Sequence, residues 1–545
     1  MSTTTGLITI RRALVSVSDK AYLEDLGRAL VSAGAEILAT GRTAAALKRA
    51  GIAYTPVDQF TGNPEAFDGR MKTISFRLES AILYDRASSK HVEEARRLEI
   101  PPIDCVVCNF YPFEEALEKL SAENPGGQAG ASLAGQIRDQ LVDQVDIGGP
   151  TMVRAAAKNF AGVLVLTDPA DYPGVIAELR QKSGSVSYET RRKMMLKAFE
   201  RVLDYDRAIY EGFARQPLRY GENPHQRAYF IPSSGAGGFD WDLAALSYNN
   251  ILDANAAFGA VCDARETLAH DMRERHHVAG AARGACAIVK HNNPCGLATG
   301  ATIAEAFDRA WAGDPVSSFG AVVALSAPLT SECARLFKKK FIEVLIAPGF
   351  EEGVLEELKS SKSKLRIVRA PVGANESFIR TAVRGGTLAQ QPDGCMHDEL
   401  QSATAIAFPK NLHAVARFGI IAAKWIKSNA VAIVRESAGG GFQLVGMGSG
   451  QPNRVDAIRR LAIPKAREAL ARDLREREAL ACDLSECVLV SDGFFPFADS
   501  IEAAAESGIK FVVQPGGSVR DAEVIAACDR LGVAMALTGK RHFRH

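Results

Sequence analysis

From residue 13 to residue 168, short apolar runs alternate with stretches of helical periodicity, an order that few folds accept. ALVSV at 13–17 has the composition of a buried strand, and residues 20–33 put Tyr22, Leu23, Leu26, Leu30 and Val31 at helical spacing. The unit then recurs as EILA at 36–39, a turn at 40–43, and a helix over 44–50 stopped by Gly51. Further apolar runs end at Phe110 and span 163–166. Strands joined by helical crossovers predict a parallel sheet with ligands at the strand C-termini. A small, Gly-rich stretch at 122–134 reads as a surface loop, and a basic helix is expected over 188–214, with a domain boundary near residue 205. Beyond it the alternation resumes, with apolar runs at 286–289, 321–325, 344–347, 430–434, 487–490 and 510–513 and no short-period repeat. The expected class is α/β, in two parts, 1–205 and 206–545.

Charge narrows the ligands. With 65 Lys+Arg against 64 Asp+Glu the net charge is +1, so no global field draws nucleic acid or an anionic membrane, and an anionic ligand needs a local site. No apolar run approaches the roughly 20 residues of a membrane span and the N-terminus lacks signal-peptide order, which points to the cytoplasm. Ten cysteines in 545 residues are too dilute for a disulfide framework. Cys105 and Cys108 match a CxxC spacing, but inside an apolar run they read as two reduced core thiols.

Ser16, Ser18 and Lys20 follow one strand into a helix, and Thr40, Gly41 and Thr43 hold the same place in the next unit. Each junction could be an N-cap and nothing more; two in succession favour a phosphorylated ligand held on helix N-termini. DGRMKT at 68–73 adds Arg70, Lys72 and Thr73, either as a second part of that site or as a solvated loop. DIGGPT at 146–151 opens a helix carrying Arg154 and Lys158, and Asp146 stands too far ahead to cap it if Pro150 is its first residue. VKHNNPCG at 289–296 places Lys290 beside His291 at a strand end, a pair suited to proton transfer. No zinc-like spacing accompanies it. GMGSG at 446–450 is a weak match to a dinucleotide loop, since Gln451-Pro452 interrupts the helix that should follow, and Gly439-Gly440-Gly441 reads as a hairpin turn. DGFFPF at 492–497 sets three aromatics beside a strand end, as core or as a ligand wall, and RHFRH at 541–545 is a basic tail.

Together these segments resemble the family of bifunctional AICAR transformylase/IMP cyclohydrolases of purine biosynthesis, from about residue 13 to 545. The resemblance is carried by SVSDK (16–20), NFYPF (109–113), DIGGPTMVRAAAKN (146–159), TDPADYP (167–173), LRYGENPHQ (218–226), LSYNNILDA (246–254), VKHNNPCG (289–296), DPVSSFG (314–320), KSNAV (427–431), FFPF (494–497), QPGGSVRD (514–521) and RHFRH. It implies a methylglyoxal-synthase-like N-terminal domain and paired cytidine-deaminase-like subdomains without catalytic zinc, working as a homodimer with 10-formyltetrahydrofolate as cosubstrate. By resemblance Lys290 and His291 match the transformylase catalytic pair and Asn429 the residue that orients the formyl group. Arg219, Tyr220, Arg454, Phe494 and Arg541 match nucleotide positions, and Pro496, Phe497 and Asp499 positions near the folate. Lys72, Tyr111, Asp146 and Lys158 match the cyclohydrolase site; Ser16, Ser18, Lys20, Thr40, Gly41, Thr43, Arg70 and Thr73 match its phosphate and nucleotide contacts.

The chain departs from that family where the family reads Lys-Thr-Leu-His-Pro and then His-Gly-Gly. Here the segment from Lys72 is KTISFRLESA, with Ser75, Phe76 and Glu79, and Arg42 adds bulk between Gly41 and Thr43. These departures bear on the rate of ring closure and leave open a transformylase whose N-terminal domain only binds a nucleotide. A dinucleotide oxidoreductase would rest on GMGSG alone, and a nucleic-acid role on the isolated basic tail.

Overall fold

Arg12–Val17 (β1) becomes the centre of a five-stranded parallel sheet because its side chains are apolar toward both faces: Ala13, Leu14 and Val15 are at most 1% exposed. With Glu36–Ala39 (β2), Thr55–Pro56 (β3), Cys105–Asn109 (β4) and Leu164–Leu166 (β5), the order is β3-β2-β1-β4-β5. Helices Leu23–Ser32 (α1), Gly41–Arg49 (α2), Phe76–Leu83 (α3), Gly148–Lys158 (α4) and Tyr188–Ala214 (α5) belong to the same unit. The chain leaves β1 toward β2 and leaves β4 toward β5 on the other side, so the strand order reverses between β1 and β4. A crevice at the C-terminal ends of those two strands is where such a sheet holds a ligand. Cys105 and Cys108, on β4, are buried free thiols, as expected.

This computed structural model describes residues 6–67, 70–123, 141–232, 239–240, 245–274, 284–371, 379–394, 399–477 and 483–545. The expected loop at 122–134 lies outside them from residue 124 onward; residues 122 and 123 end the helix Phe113–Glu123. The chain divides into two units, Met1–Arg215 and Gln216–His545. The boundary expected near 205 falls inside α5, whose buried Tyr205 anchors it to the first unit, so that unit continues to Arg215.

The second unit is built on one eleven-stranded mixed sheet. Its first half holds helix Tyr248–Glu274 (α6), strands Gly284–Lys290 (β6) and Asn293–Gly300 (β7), helix Ile303–Gly313 (α7), and strands Ala321–Leu325 (β8), Ile342–Ala347 (β9) and Arg366–Arg369 (β10). Gln401–Ser402 (β11) follows, and then the plan recurs. Helix His413–Trp425 (α8) leads to a hairpin, Val431–Glu436 (β12) and Phe442–Gly448 (β13), then to Val488–Ser491 (β14), Phe511–Gln514 (β15) and Ala534–Leu537 (β16). In each half the hairpin's first strand also pairs antiparallel with the third strand, and two further strands follow in parallel; in the second half β11 adds an antiparallel edge beyond β16. The halves join where β7 meets β13 antiparallel at Ala298 and Gln443.

Two small-residue strands make this possible. A Cβ on Gly296 would come within 2.2 Å of the Ala310 carbonyl oxygen, so only glycine lets α7 lie on β7. Gly446 and Gly448 stand likewise against the Ala462 and Ala457 carbonyls, at 2.3 and 2.1 Å. The GMGSG run is therefore strand under helix, not a dinucleotide loop, and the oxidoreductase reading loses its only support. Gly439, Gly440 and Gly441 do form the β12–β13 turn, all with positive φ.

Candidate active sites

In the first unit the strand register brings Val17, Asn109 and the start of α2 to one edge. Asn109 organises it: its Oδ1 accepts from the backbone N–H groups of Ser18 (2.5 Å) and Asp19 (2.8 Å), and its Nδ2 donates to the Asp19 carbonyl. Ser18 and Asp19 are not caps, because α1 starts only at Leu23, after Tyr22 in a left-handed conformation. Thr40 is the N-cap of α2 by position, but its hydroxyl makes no capping bond and lies 3.3 Å from the Ser16 hydroxyl. Thr43 is committed elsewhere: its buried hydroxyl donates to the Val17 carbonyl and accepts from the Val17 N–H, tying α2 to β1. Lys20 Nζ donates to the Val17 and Ser18 carbonyls, and burial, then the nearby Arg42, lowers its pKa. The result is an edge with hydroxyls, cations and the free first N–H groups of α2, the elements of a phosphate site.

Lys72 reaches this edge: a Cβ on Gly41 would lie 3.6 Å from its Nζ, which also pairs with Glu65 at 3.0 Å. Arg70 turns to Asp143 instead, at 2.8 Å on the surface. Asp68 and Gly69 lie outside the described residues. Thr73 is buried against the start of α4, where a Cβ on Gly148 would meet its hydroxyl at 2.5 Å. The helix begins at Gly148, not Pro150, so Asp146 stands close enough to act on it: its Oδ1 accepts from the Gly149 N–H at 2.8 Å. Burial raises the Asp146 pKa, against the opposing pull of backbone N–H groups at Gly149 and Tyr111. Tyr205 holds the segment by accepting the Asp146 N–H at 2.8 Å and donating to the Gln144 carbonyl. The Tyr111 ring is partly exposed, with the Arg42 guanidinium 6.0 Å away, so the bulk added at Arg42 is a cation at the mouth of the edge. Lys158 stands apart. It is exposed at the far end of α4, ten residues and about 15 Å of helix rise from Gly148.

The second site forms where the two halves of the large sheet meet. Lys290 and Asn293 pair across a two-residue turn whose central residues, His291 and Asn292, have φ of 53° and 60°, a tight hairpin that does without glycine. Lys290 Nζ donates to the Phe319 carbonyl at 2.8 Å. Asn293 Oδ1 accepts from the Lys427 N–H (3.0 Å) and the Ser449 hydroxyl (2.7 Å), which draws the 427–429 segment and the end of β13 to the turn. Asn429 donates to the Gln451 and Pro452 carbonyls and accepts from Arg454 Nη2 at 2.7 Å. Arg454, 6% exposed, is paired with the buried Asp492, which also binds the Ser428 hydroxyl. The tail is docked rather than frayed: Ser428 donates to the Arg544 carbonyl, His542 to the Asp492 carbonyl, and Arg541 lies 4.4 Å over Phe543.

Of the three aromatics, Phe495 is core, while Phe494 and Phe497 are exposed on either side of Pro496, with Arg520 4.7 Å over Phe497. Asp499 starts the helix after them. Arg219 is exposed over the Tyr220 ring, and neither residue bonds to the Lys290 turn among the described residues. Sequence reasoning missed Asn109, Asp253, Asn293, Asp492 and Arg544. All five lie inside the quoted motifs, but their work is to hold backbone or, for Asp492, the Arg454 guanidinium and the Ser428 hydroxyl, and residue type alone does not announce it.

A phosphate edge on a parallel sheet and a Lys–His hairpin on a duplicated mixed sheet define a two-enzyme chain of nucleotide chemistry. Residues 156–465 match the family model described as AICARFT/IMPCHase bienzyme, and residues 22–151 match the MGS-like domain. The chain is 38% identical to the bifunctional purine biosynthesis protein PurH of Elusimicrobium minutum, over 98% of this chain and 99% of that protein. It is 40% identical to the protein of the same name from Cereibacter sphaeroides, over 99% and 100%. The solved structure of ForH shares 31% identity over 37% of this chain and 98% of its own, at a TM-score of 0.31. The chain belongs to the AICARFT/IMPCHase bienzyme family. It is a bifunctional enzyme of purine biosynthesis, an AICAR formyltransferase joined to an IMP cyclohydrolase, and the reading of its N-terminal domain as a binding module alone is not favoured.

Proposed function

We propose that the Gln216–His545 unit moves the formyl group of 10-formyltetrahydrofolate to the 5-amino nitrogen of AICAR, and that the Met1–Arg215 unit closes the product to IMP. The observation that carries the first assignment is the convergence of the Lys290–His291 turn, the 427–429 segment and Arg454 through Asn293 and Asn429. His291 takes the proton from the amino nitrogen as that nitrogen attacks the formyl carbon. The bond from this carbon to the folate nitrogen then breaks, and Lys290 stabilises the developing charge or returns a proton to the folate. Asn429 has one Oδ1 lone pair left for substrate. Arg219, Tyr220, Phe494 and Arg541 take the nucleotide, and Pro496, Phe497 and Asp499 border the folate.

For ring closure, Ser16, Ser18, Lys20, Thr40 and Gly41 surround the nucleotide and its phosphate, with Thr43 setting the position of α2 and Thr73 packed at the start of α4; Arg70, paired with Asp143 here, is included on resemblance. The raised pKa of Asp146 makes it a stronger base than an ordinary aspartate, suited to take a proton from the carboxamide nitrogen as it attacks the formyl carbon and water leaves. Lys72 and Tyr111 complete the site, and Lys158 is included on resemblance alone. Holding two groups of one molecule in contact supplies much of the rate. The enzyme works as a cytoplasmic homodimer on small-molecule substrates, without a catalytic metal, nucleic acid or membrane. Among the described residues no helix is long and apolar enough to cross a membrane.

Chromatography of timed samples with AICAR and 10-formyltetrahydrofolate tests both assignments. Wild type should accumulate IMP, Lys72→Ala should stop at formyl-AICAR, and His291→Ala should make neither. IMP formation by Lys72→Ala, or formyl-AICAR by His291→Ala, would remove that residue from its site.

A further inference from the structure

All four backbone polar groups of the His291-Asn292 turn are held by side chains. Asp253, on α6, accepts the His291 N–H at Oδ2 (3.3 Å) and the Asn292 N–H at Oδ1 (2.6 Å). Asn293 Nδ2 donates to the His291 carbonyl at 3.0 Å, and Arg544 Nη1 donates to the Asn292 carbonyl at 3.2 Å and to the Trp425 carbonyl at 2.7 Å. The supports are themselves fixed. Arg544 lies 4.8 Å over the Trp425 ring, and Trp425 Nε1 donates to Asp263, also on α6, at 2.7 Å.

Two consecutive residues with side chains in the left-handed region are disfavoured, and such backbone persists only where its surroundings over-determine it. A carboxylate suits the task because it only accepts, and its two oxygens can meet two neighbouring N–H groups at once. Asp253 is half-buried and pays for that position in solvation: burial raises its pKa, while the two N–H groups pull the other way.

We infer that Asp253 is a positioning residue for formyl transfer: it holds the His291-Asn292 turn in the left-handed conformation that presents His291. The inference rests on the reading of His291 as the proton acceptor. It makes Asp253 and Arg544 two jaws of one clamp, one on the N–H groups of the turn and one on its last carbonyl.

The test compares Asp253→Asn, Asp253→Asn with Asn292→Gly, Asn292→Gly alone, and His291→Ala in the full chain. Asparagine keeps the size of the side chain but replaces one acceptor by a donor. Glycine at 292 adopts positive φ without steric cost and is the residue such turns favour. Asp253→Asn should lower kcat for formyl transfer about tenfold to a hundredfold, as small misplacements of a catalytic group do, with KM for AICAR within about twofold. Adding Asn292→Gly should restore at least about threefold of that loss relative to the Asn292→Gly parent. Unchanged kcat in Asp253→Asn, or no recovery on adding glycine, overturns the proposal, the second result showing that Asp253 merely packs α6. Retained activity in His291→Ala would instead sink the site reading beneath it. If the asparagine variant does not fold, Asp253→Glu, with both acceptors kept one methylene further out, enters the same comparison.

Discussion

Glu79, one of the departures after Lys72, stands one turn into α3, a helix capped by the Ser75 hydroxyl on the Leu78 N–H. It is half-buried, its Oε1 is shielded without a hydrogen-bond partner among the described residues, and burial alone pushes its pKa up to about 7. The carboxyl is therefore favoured neutral in the folded chain. Because the folded pKa exceeds the unfolded one, this protonation favours the fold fully below the unfolded value of about 4.5 and loses that contribution as pH rises through about 7. A shift of this size corresponds to about 3 kcal/mol at full value, and partial exposure reduces it to about 1 kcal/mol. Glu79→Gln, neutral at every pH, should raise the melting temperature of the first unit by about 2–4 °C at pH 8 and by much less at pH 5. Calorimetric scans at the two pH values decide it: an equal effect at both would mean that Glu79 is solvated and does not titrate with folding.

At the scale of elements, what packing requires is separable from what chemistry requires. A methyl group on Gly448 would collide with the Ala457 carbonyl, so β13 or the helix above it must move. Gly448→Ala should cost roughly 1–3 kcal/mol, seen as a lower urea midpoint for the second unit. Because β13 ends at the Ser449 hydroxyl that holds Asn293, the same variant should slow formyl transfer while ring closure keeps its rate. Loss of both activities would refute that locality. The same elements show what could be read in the chain. Strands rich in Val, Ile and Leu, such as β1, β8 and β14, are evident from composition. β7 is not, because NPCGLATG carries the glycines that α7 needs for close approach and so reads as a loop. The duplication of the second unit was implied by the resemblance and not by any repeat in the residues: its two hairpins turn through His291-Asn292 in one half and through residues 437–441, three of them glycine, in the other. Catalytic candidates were legible as dense polar motifs at strand ends. The clamp residues Asp253 and Arg544 were not, since only the folded backbone gives them work.

For the whole molecule, the two units have separate cores and each contains its own candidate site, so a lesion in one need not disturb the other. Formyl transfer to an aromatic amine of low basicity is expected to be weakly driven, and dehydration to a purine ring removes its product. Fusion then couples the steps through the shared intermediate and needs no conformational signal between units. On this argument full-length His291→Ala and Lys72→Ala chains, each unable to make IMP from AICAR, should make it when mixed: the second supplies formyl-AICAR and the first closes it. The mixture should show a lag while formyl-AICAR accumulates in solution, and the lag should shorten as His291→Ala protein is added in excess. Chromatography of timed samples reads both species. No IMP from the mixture, with formyl-AICAR present and His291→Ala active on added formyl-AICAR, would mean that the intermediate does not reach the second site from solution, and the coupling would then have to be built into the assembled enzyme.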